Sequence, residues 1–213
     1  MPSGCEPARD CGACPRLAAY LAENRRLYPG FHNAPVPSFG DADARLLVVG
    51  LAPGLKGANA TGRPFTGDAA GDILYKALAD NGFSRGVYGK RADDGFVLRG
   101  ALITNAVRCA PPQNKVEPAE IKACNGHLAA VMAGLPRLAC VLAIGGVAHK
   151  AVLLAAGLKP SAAAFAHGAE FGLPGGAVLL DSYHTSRYNT NTGRLTEEMF
   201  DSIVKRAKKL ADG

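Results

Sequence analysis

The chain has 213 residues, a net charge of +6 and six cysteines, long enough for one domain (residues 1–213) with a buried core. No apolar run approaches the about 18 residues of a membrane span, and the opening MPSGCEPARDCGAC lacks the apolar stretch of a secretion signal, so the expectation is a cytoplasmic protein. A basic balance suits an anionic partner, and in a reducing compartment the cysteines point to metal or redox chemistry ahead of a disulfide framework.

In chain order, Leu17, Tyr20, Leu21 and Asn24 recur at helical spacing, predicting a helix over about 12–27. Short apolar runs at Arg45–Leu51, Ala101–Thr104, Ala139–Ile144 and Ala177–Leu180 read as strands, each ended by Gly, Asn or Ser. Helices fall between them at about 69–81, 118–133 and 146–156. The last, over about 196–210, repeats Met199, Ile203, Ala207 and Leu210 behind Thr196 as N-cap and Glu197 and Glu198 in the first turn. Such alternation with near-continuous apolar strands predicts a mainly parallel sheet covered on both faces. Residues 84–96 read as a surface loop.

The richest stretch is GLAPGLKGANATGRPFTGD, residues 50–68. A buried strand opens there into a loop with five glycines, where α/β folds place ligands, beyond the carboxyl ends of the strands. Glycines permit close backbone approach, while Arg63, Phe65 and Asp68 offer a cation, a flat ring and a carboxylate. Asp68 also stands where an N-cap would start the helix near Ala69. GLAPGLK lacks the spacing of a P-loop, and Gly145-Gly146 is not a dinucleotide fingerprint, so nucleotide cofactor binding is unsupported.

Four cysteines pair as Cys11-x2-Cys14 and Cys109-x14-Cys124. Gathered by the fold, they would suit a tetrahedral zinc ion or an iron–sulfur cluster; otherwise CxxC is a chance pair and the other two are small buried hydrophobes. Cys140 reads as core packing, and Cys5 as part of a loose tail. A second candidate stretch is DSYHTSRYNTNTGR, residues 181–194. His184 ends a strand among hydroxyl, amide and arginine side chains, a composition suited to phosphate contact and to proton or charge stabilisation. His32, His127, His149 and His167 lack such company, and the basic cluster Lys205, Arg206, Lys208 and Lys209 reads as a solvated face that complements the helix dipole.

Together GLAPG with TGRPFTGD, then ITNAVRCAPPQNK, then SYHTSRYNTNTGRLT, with four cysteines around them, resemble the uracil-DNA glycosylase superfamily, and within it the iron–sulfur-containing family 5 (UDGb type). The likeness runs from about Cys11 to the final helix. It implies a three-layer α/β/α sandwich with a four-stranded mainly parallel sheet, and a 4Fe-4S cluster on Cys11, Cys14, Cys109 and Cys124. It implies a DNA glycosylase that hydrolyses the N-glycosidic bond of uracil, and of other deaminated bases such as hypoxanthine, leaving an abasic site. The base must leave the stack to be reached.

By the same resemblance, Phe65 stacks on the flipped base and Asn105 reads its Watson–Crick edge. Gly50, Ala52, Pro53 and Gly54 line the base with main-chain groups, and Ser186, Arg187 and Asn189 contact the substrate. A side chain among Arg187, Tyr188 and Asn189 enters the duplex. Chemistry then gives His184 the leaving-base oxygen, where negative charge develops, and Asp68 the sugar cation or the attacking water. The GLAPG motif holds no acid, so that burden falls on Asp68. No lysine is singled out for a Schiff-base step, so the expectation is a monofunctional, monomeric enzyme with a structural cluster. The competing readings are an iron–sulfur electron-transfer protein and a module that captures damaged DNA without cutting it.

Overall fold

The computed structural model describes residues 5–213. The elements begin α1 (Pro15–Leu27), β1 (Phe39–Gly40), β2 (Leu46–Gly50), α2 (Ala58–Thr61), α3 (Ala69–Asp80), β3 (Ser84–Arg85), β4 (Val97–Leu98) and β5 (Ala101–Asn105). They continue with α4 (Pro118–Ala133), β6 (Cys140–Ile144), α5 (Gly146–Ala155), β7 (Glu170–Gly172), β8 (Val178–Ser182), α6 (Arg187–Asn191) and α7 (Glu197–Asp212).

The main sheet has six strands in the order β1-β5-β2-β6-β8-β7. Its centre, β5-β2-β6-β8, is parallel, whereas β1 and β7 pair antiparallel at the two edges. The sheet is therefore mixed and wider than the four strands expected. The added edges are two and three residues long, too short for period-2 alternation to register in sequence.

All five residues of β2, β5 and β6 are buried, as parallel strands covered on both faces must be. Successive side chains point to opposite faces. Leu46 and Val48 pack with Leu74 and Leu78 of α3 and Phe200 and Val204 of α7, while Leu47 and Val49 pack with Leu128 of α4 and Val152 of α5. Helices thus cover both faces.

Local chemistry explains the helix limits. Thr196 caps α7 by accepting from the Met199 amide at 3.1 Å. Glu117 and Glu120 form a reciprocal capping box at α4, followed by Pro118 at the first helical position. The segment 84–96 is more than a surface loop. It carries β3, which pairs with β4 in a separate two-stranded sheet. Phe96 of this segment is buried, and Tyr88 stacks on Tyr75 of α3 with ring centroids 4.2 Å apart. Cys5 is also buried rather than loose, with its thiol 3.4 Å from the Ala130 carbonyl.

Candidate active site

Gly50 and Asn105 are register partners at the carboxyl ends of neighbouring parallel strands. The segments that follow β2, β5 and β8 therefore meet at one edge of the sheet. There Leu51–Gly54, Ala58, Phe65, Asp68, Asn105 and His184 close around a small cavity. It adjoins a wider groove of about 830 Å³ whose walls include Lys56, Asp68, Asn114, His184, Ser186 and Arg187. Four side chains singled out from sequence, Phe65, Asp68, Asn105 and His184, thus come together from distant parts of the chain.

Phe65 is nine-tenths buried, with a backbone φ of 55°. That left-handed conformation is uncommon for an aromatic residue and is held only where the surroundings over-determine it. Its ring lies against Gly50: a Cβ there would stand 2.5 Å from both Phe65 Cζ and Asn105 Oδ1. Glycine at position 50 is thus required for ring and amide to share one wall. Asn105 is buried, and among the described residues its side-chain amide has no hydrogen-bond partner although it faces the small cavity. A buried amide left open in this way is poised to pair with a ligand.

His184 lies three residues beyond Asp181 of β8, lining both cavities. Its Nδ1 is buried with no hydrogen-bond partner among the described residues. Burial lowers its pKa from the ordinary imidazole value, and the nearby Asp68 carboxylate opposes that shift more weakly. The ring is therefore neutral at physiological pH, with Nε2 as the nitrogen available to a ligand. Asp68 has two relations at once. Its Oδ1 accepts from the Gly71 amide at 3.1 Å as the N-cap of α3. Its Oδ2 crowds the glycine loop, so that a Cβ at Gly57 would stand 2.7 Å away.

Arg63 is not a ligand-facing cation. It is buried and forms a bidentate ion pair with Asp94 at 2.8 and 2.7 Å. Ser186 caps α6 by accepting from the Asn189 amide, while Arg187 is exposed on the wall of the groove. Asn189 lines neither cavity; its side-chain amide donates to the His184 carbonyl at 2.8 Å and so holds the histidine backbone. Tyr188 is 72% exposed. The sequence reading passed over Lys56 and Asn114, both on the groove. Asn114 and its neighbour Gln113 have φ values of 58° and 55°; an Asn after two prolines is a turn signal, but nothing in sequence aims that turn at the groove.

Cys11, Cys14, Cys109 and Cys124 line one small cavity with Leu17, Val107 and His127. Cys11 and Cys14 stand at the start of α1, Cys109 follows β5, and Cys124 lies in α4. Arg16 braces the arrangement with a bidentate pair to Glu120, 2.8 Å in each arm, joining α1 to α4. Burial pushes the Cys109 thiol up to about 12, and Cys14 and Cys124 are raised by burial and by neighbouring acidic groups. Among the described residues, no three His, Cys, Asp or Glu side chains close on a single metal ion. Cys140 is core, with its thiol raised to about 12 by burial.

The model of the uracil DNA glycosylase superfamily matches residues 37–208. A type-5 uracil-DNA glycosylase of Thermus thermophilus is 48% identical, over 94% of this chain and 94% of its own length. The type-5 enzyme of Pyrobaculum aerophilum is 42% identical over 93% and 88%, respectively. That of Mycobacterium tuberculosis is 42% identical over 94% and 78%.

Proposed function

The chain belongs to the uracil-DNA glycosylase superfamily, and from that premise we propose that it excises uracil from DNA by hydrolysing the N-glycosidic bond. The observation that carries this reading is the convergence of Phe65, Asn105, Asp68 and His184 on one cavity beside a wide groove. Arg187 and Lys56 on the groove suit phosphates of the backbone. The base rotates out of the stack into the small cavity and stacks on Phe65, a contact that contributes roughly 1–3 kcal/mol per base. The Asn105 amide pairs with the Watson–Crick edge, since it donates to O4 and accepts from N3–H at once.

As the bond between C1′ and the base nitrogen breaks, its electron pair stays on the base and the sugar becomes cationic. Neutral His184 donates from Nε2 to the base oxygen that gains charge. Protonation would instead put a hydrogen on buried Nδ1, which has no acceptor. Asp68 stabilises the sugar cation and orients the attacking water, whose oxygen bonds to C1′ as its proton passes by way of that carboxylate to solvent, and the departing base anion takes up a proton from solvent. The same carboxylate caps α3, and the cap leaves the second oxygen for the catalytic role in this reading. No Schiff-base lysine takes part in this scheme, so the product is an abasic site.

The four cysteines would hold a 4Fe-4S cluster. An all-thiol donor set lining one cavity suits iron–sulfur chemistry. When bound, the cluster supplies a rigid crosslink among α1, the segment after β5, and α4; hydrolysis itself requires no electron. We further read the chain as one cytoplasmic, monomeric glycosylase domain that also accepts hypoxanthine. No helix is long and apolar enough to cross a membrane.

Oligonucleotides carrying a single uracil, hypoxanthine or xanthine, assayed for alkali-labile abasic sites, test the reading and its breadth. Uracil cleavage with the iron-loaded protein is expected. Tight binding of uracil-containing DNA with no abasic site would replace the hydrolase with a capture module.

A further inference from the structure

The structure assigns a positioning role to the segment 84–98: we infer that Tyr88 and Asp94, with Tyr75 of α3, hold Phe65 in the left-handed conformation that turns its ring toward the base cavity. This deepens the proposed function and rests on the reading of Phe65 as the stacking ring. Without support, a phenylalanine at φ 55° would relax to the broad β or right-handed regions. Three separate ties prevent that relaxation, each on a residue that flanks Phe65 or on Phe65 itself.

The Tyr75 hydroxyl donates to the Pro64 carbonyl at 2.7 Å, just before Phe65. The Tyr88 hydroxyl donates to the carbonyl of Phe65 at 3.3 Å. Asp94 grips Arg63 in a bidentate pair at 2.8 and 2.7 Å. Arg63 Nε in turn donates to the Thr66 hydroxyl at 2.7 Å, so one guanidinium spans both sides of the phenylalanine.

The Arg63 guanidinium also lies 5.0 Å from the Phe39 ring centroid, 5.3 Å from that of Tyr75 and 5.4 Å from that of Tyr88. Aromatic faces on this scale attract a cation, which fixes the tyrosine rings as well as the arginine. On the far side, Gly71 makes room: a Cβ there would overlap the Phe65 carbonyl oxygen. Asp94 further accepts from the Gly89 and Phe96 amides at 2.8 and 2.9 Å, so the turn that presents Tyr88 and the ion pair that restrains Arg63 are built on one carboxylate. No residue of the segment lines either cavity itself, yet the stacking wall depends on it.

Tyr88→Phe removes one hydroxyl and keeps the stacked ring; Asp94→Asn keeps the size of the side chain and removes its charge. Single-turnover excision of uracil by each is expected to fall about tenfold, since small misplacements of a positioning group cost that or more. Binding of DNA that carries an abasic site, which offers no base to stack, is expected to stay unchanged. In a Phe65→Ala background the same substitutions should change the rate by less than about twofold, the non-additivity of groups acting through one another. Asp93→Asn, in the exposed pair with Arg91, is the control that leaves the rate intact.

Equal losses of rate with and without Phe65, or full activity in Tyr88→Phe, would overturn the positioning role. Should Asp94→Asn fail to fold, Tyr88→Phe alone decides. Failure of wild type to release uracil would refute the functional reading instead, so the two failures are distinct.

Discussion

Asn105 makes the clearest case at the scale of single residues, because a buried amide with no partner among the described residues contributes little to the fold. Asn105→Ala is expected to lower uracil excision by about 10²-fold or more, as sites built to pair a substrate's polar edge lose heavily when that pairing goes, with little change in melting temperature. An unaltered rate would remove it from base recognition. For His184 the sign follows from burial. Its folded pKa lies below the ordinary 6.5, so the unfolded chain takes up the proton first, and stability is lost as pH falls below 6.5 toward the folded value. Activity follows the folded value instead: it should stay level through the ordinary imidazole range and decline only at the lower pH where the folded ring gains its proton. A His184→Gln protein, assayed over the same range, should lack that acid limb. Asp68 separates by paired substitutions. Asp68→Asn keeps an acceptor for the Gly71 amide and removes the charge, so turnover should fall at least about tenfold with the melting temperature held. Asp68→Ala should in addition lose about 1 kcal/mol of stability with the cap. Asp68 and His184 stood out in sequence because they open a helix and follow a strand beside glycine and polar runs, whereas Asn105 was singled out only through the family resemblance. Arg63 was misread because the pattern around it showed a cation but not Asp94, thirty-one residues away, which neutralises it.

Elements carry the site through their ends. Since β2 and β5 place Gly50 beside Asn105, Gly50→Ala should push the Phe65 ring from the shared wall and depress uracil excision by about 10²-fold while leaving abasic-site binding in place. Intact excision by that variant would separate the ring from the reaction. The Arg63–Asp94 pair is a distinct liability of the β3–β4 region. Asp94→Ala would leave a buried guanidinium uncompensated and is expected to cost about 3–5 kcal/mol in denaturant unfolding; a loss under about 1 kcal/mol would mean that the pair behaves as a surface contact. The long elements could be read from sequence because a five-residue apolar run and a helix of ten to sixteen residues are long enough for their pattern to register. By contrast, β1, β3, β4 and β7 span two or three residues. Their pairing is decided by neighbours brought near by the fold rather than by any local period. The short helices α2 and α6 were missed for a related reason, as four and five residues complete barely one turn.

Across the whole molecule, two centres lie on opposite sides of one short segment. Asn105 ends β5 at the small cavity, and Cys109 follows four residues later among the thiols. A cluster bound to Cys11, Cys14, Cys109 and Cys124 would therefore fasten the chain just beyond Asn105. Cys109→Ser is expected to reduce bound iron and sulfide and to lower the melting temperature; a protein with full stability and no iron would make the cysteines ordinary core residues. Spacing grouped CxxC with Cys109 and Cys124 as a candidate metal set but left zinc, iron–sulfur and core packing open until the family likeness chose among them, since no local pattern tells which buried thiols share a cavity. The central claim, that four distant side chains make one pocket for uracil excision, is tested most directly by abasic-site formation from a uracil-containing oligonucleotide under single turnover. Wild-type protein should convert the substrate, whereas His184→Ala should slow conversion by about 10²–10³-fold, the loss typical of one donor to a developing anion. No release of uracil by iron-loaded wild type, or undiminished release by His184→Ala, would contradict it.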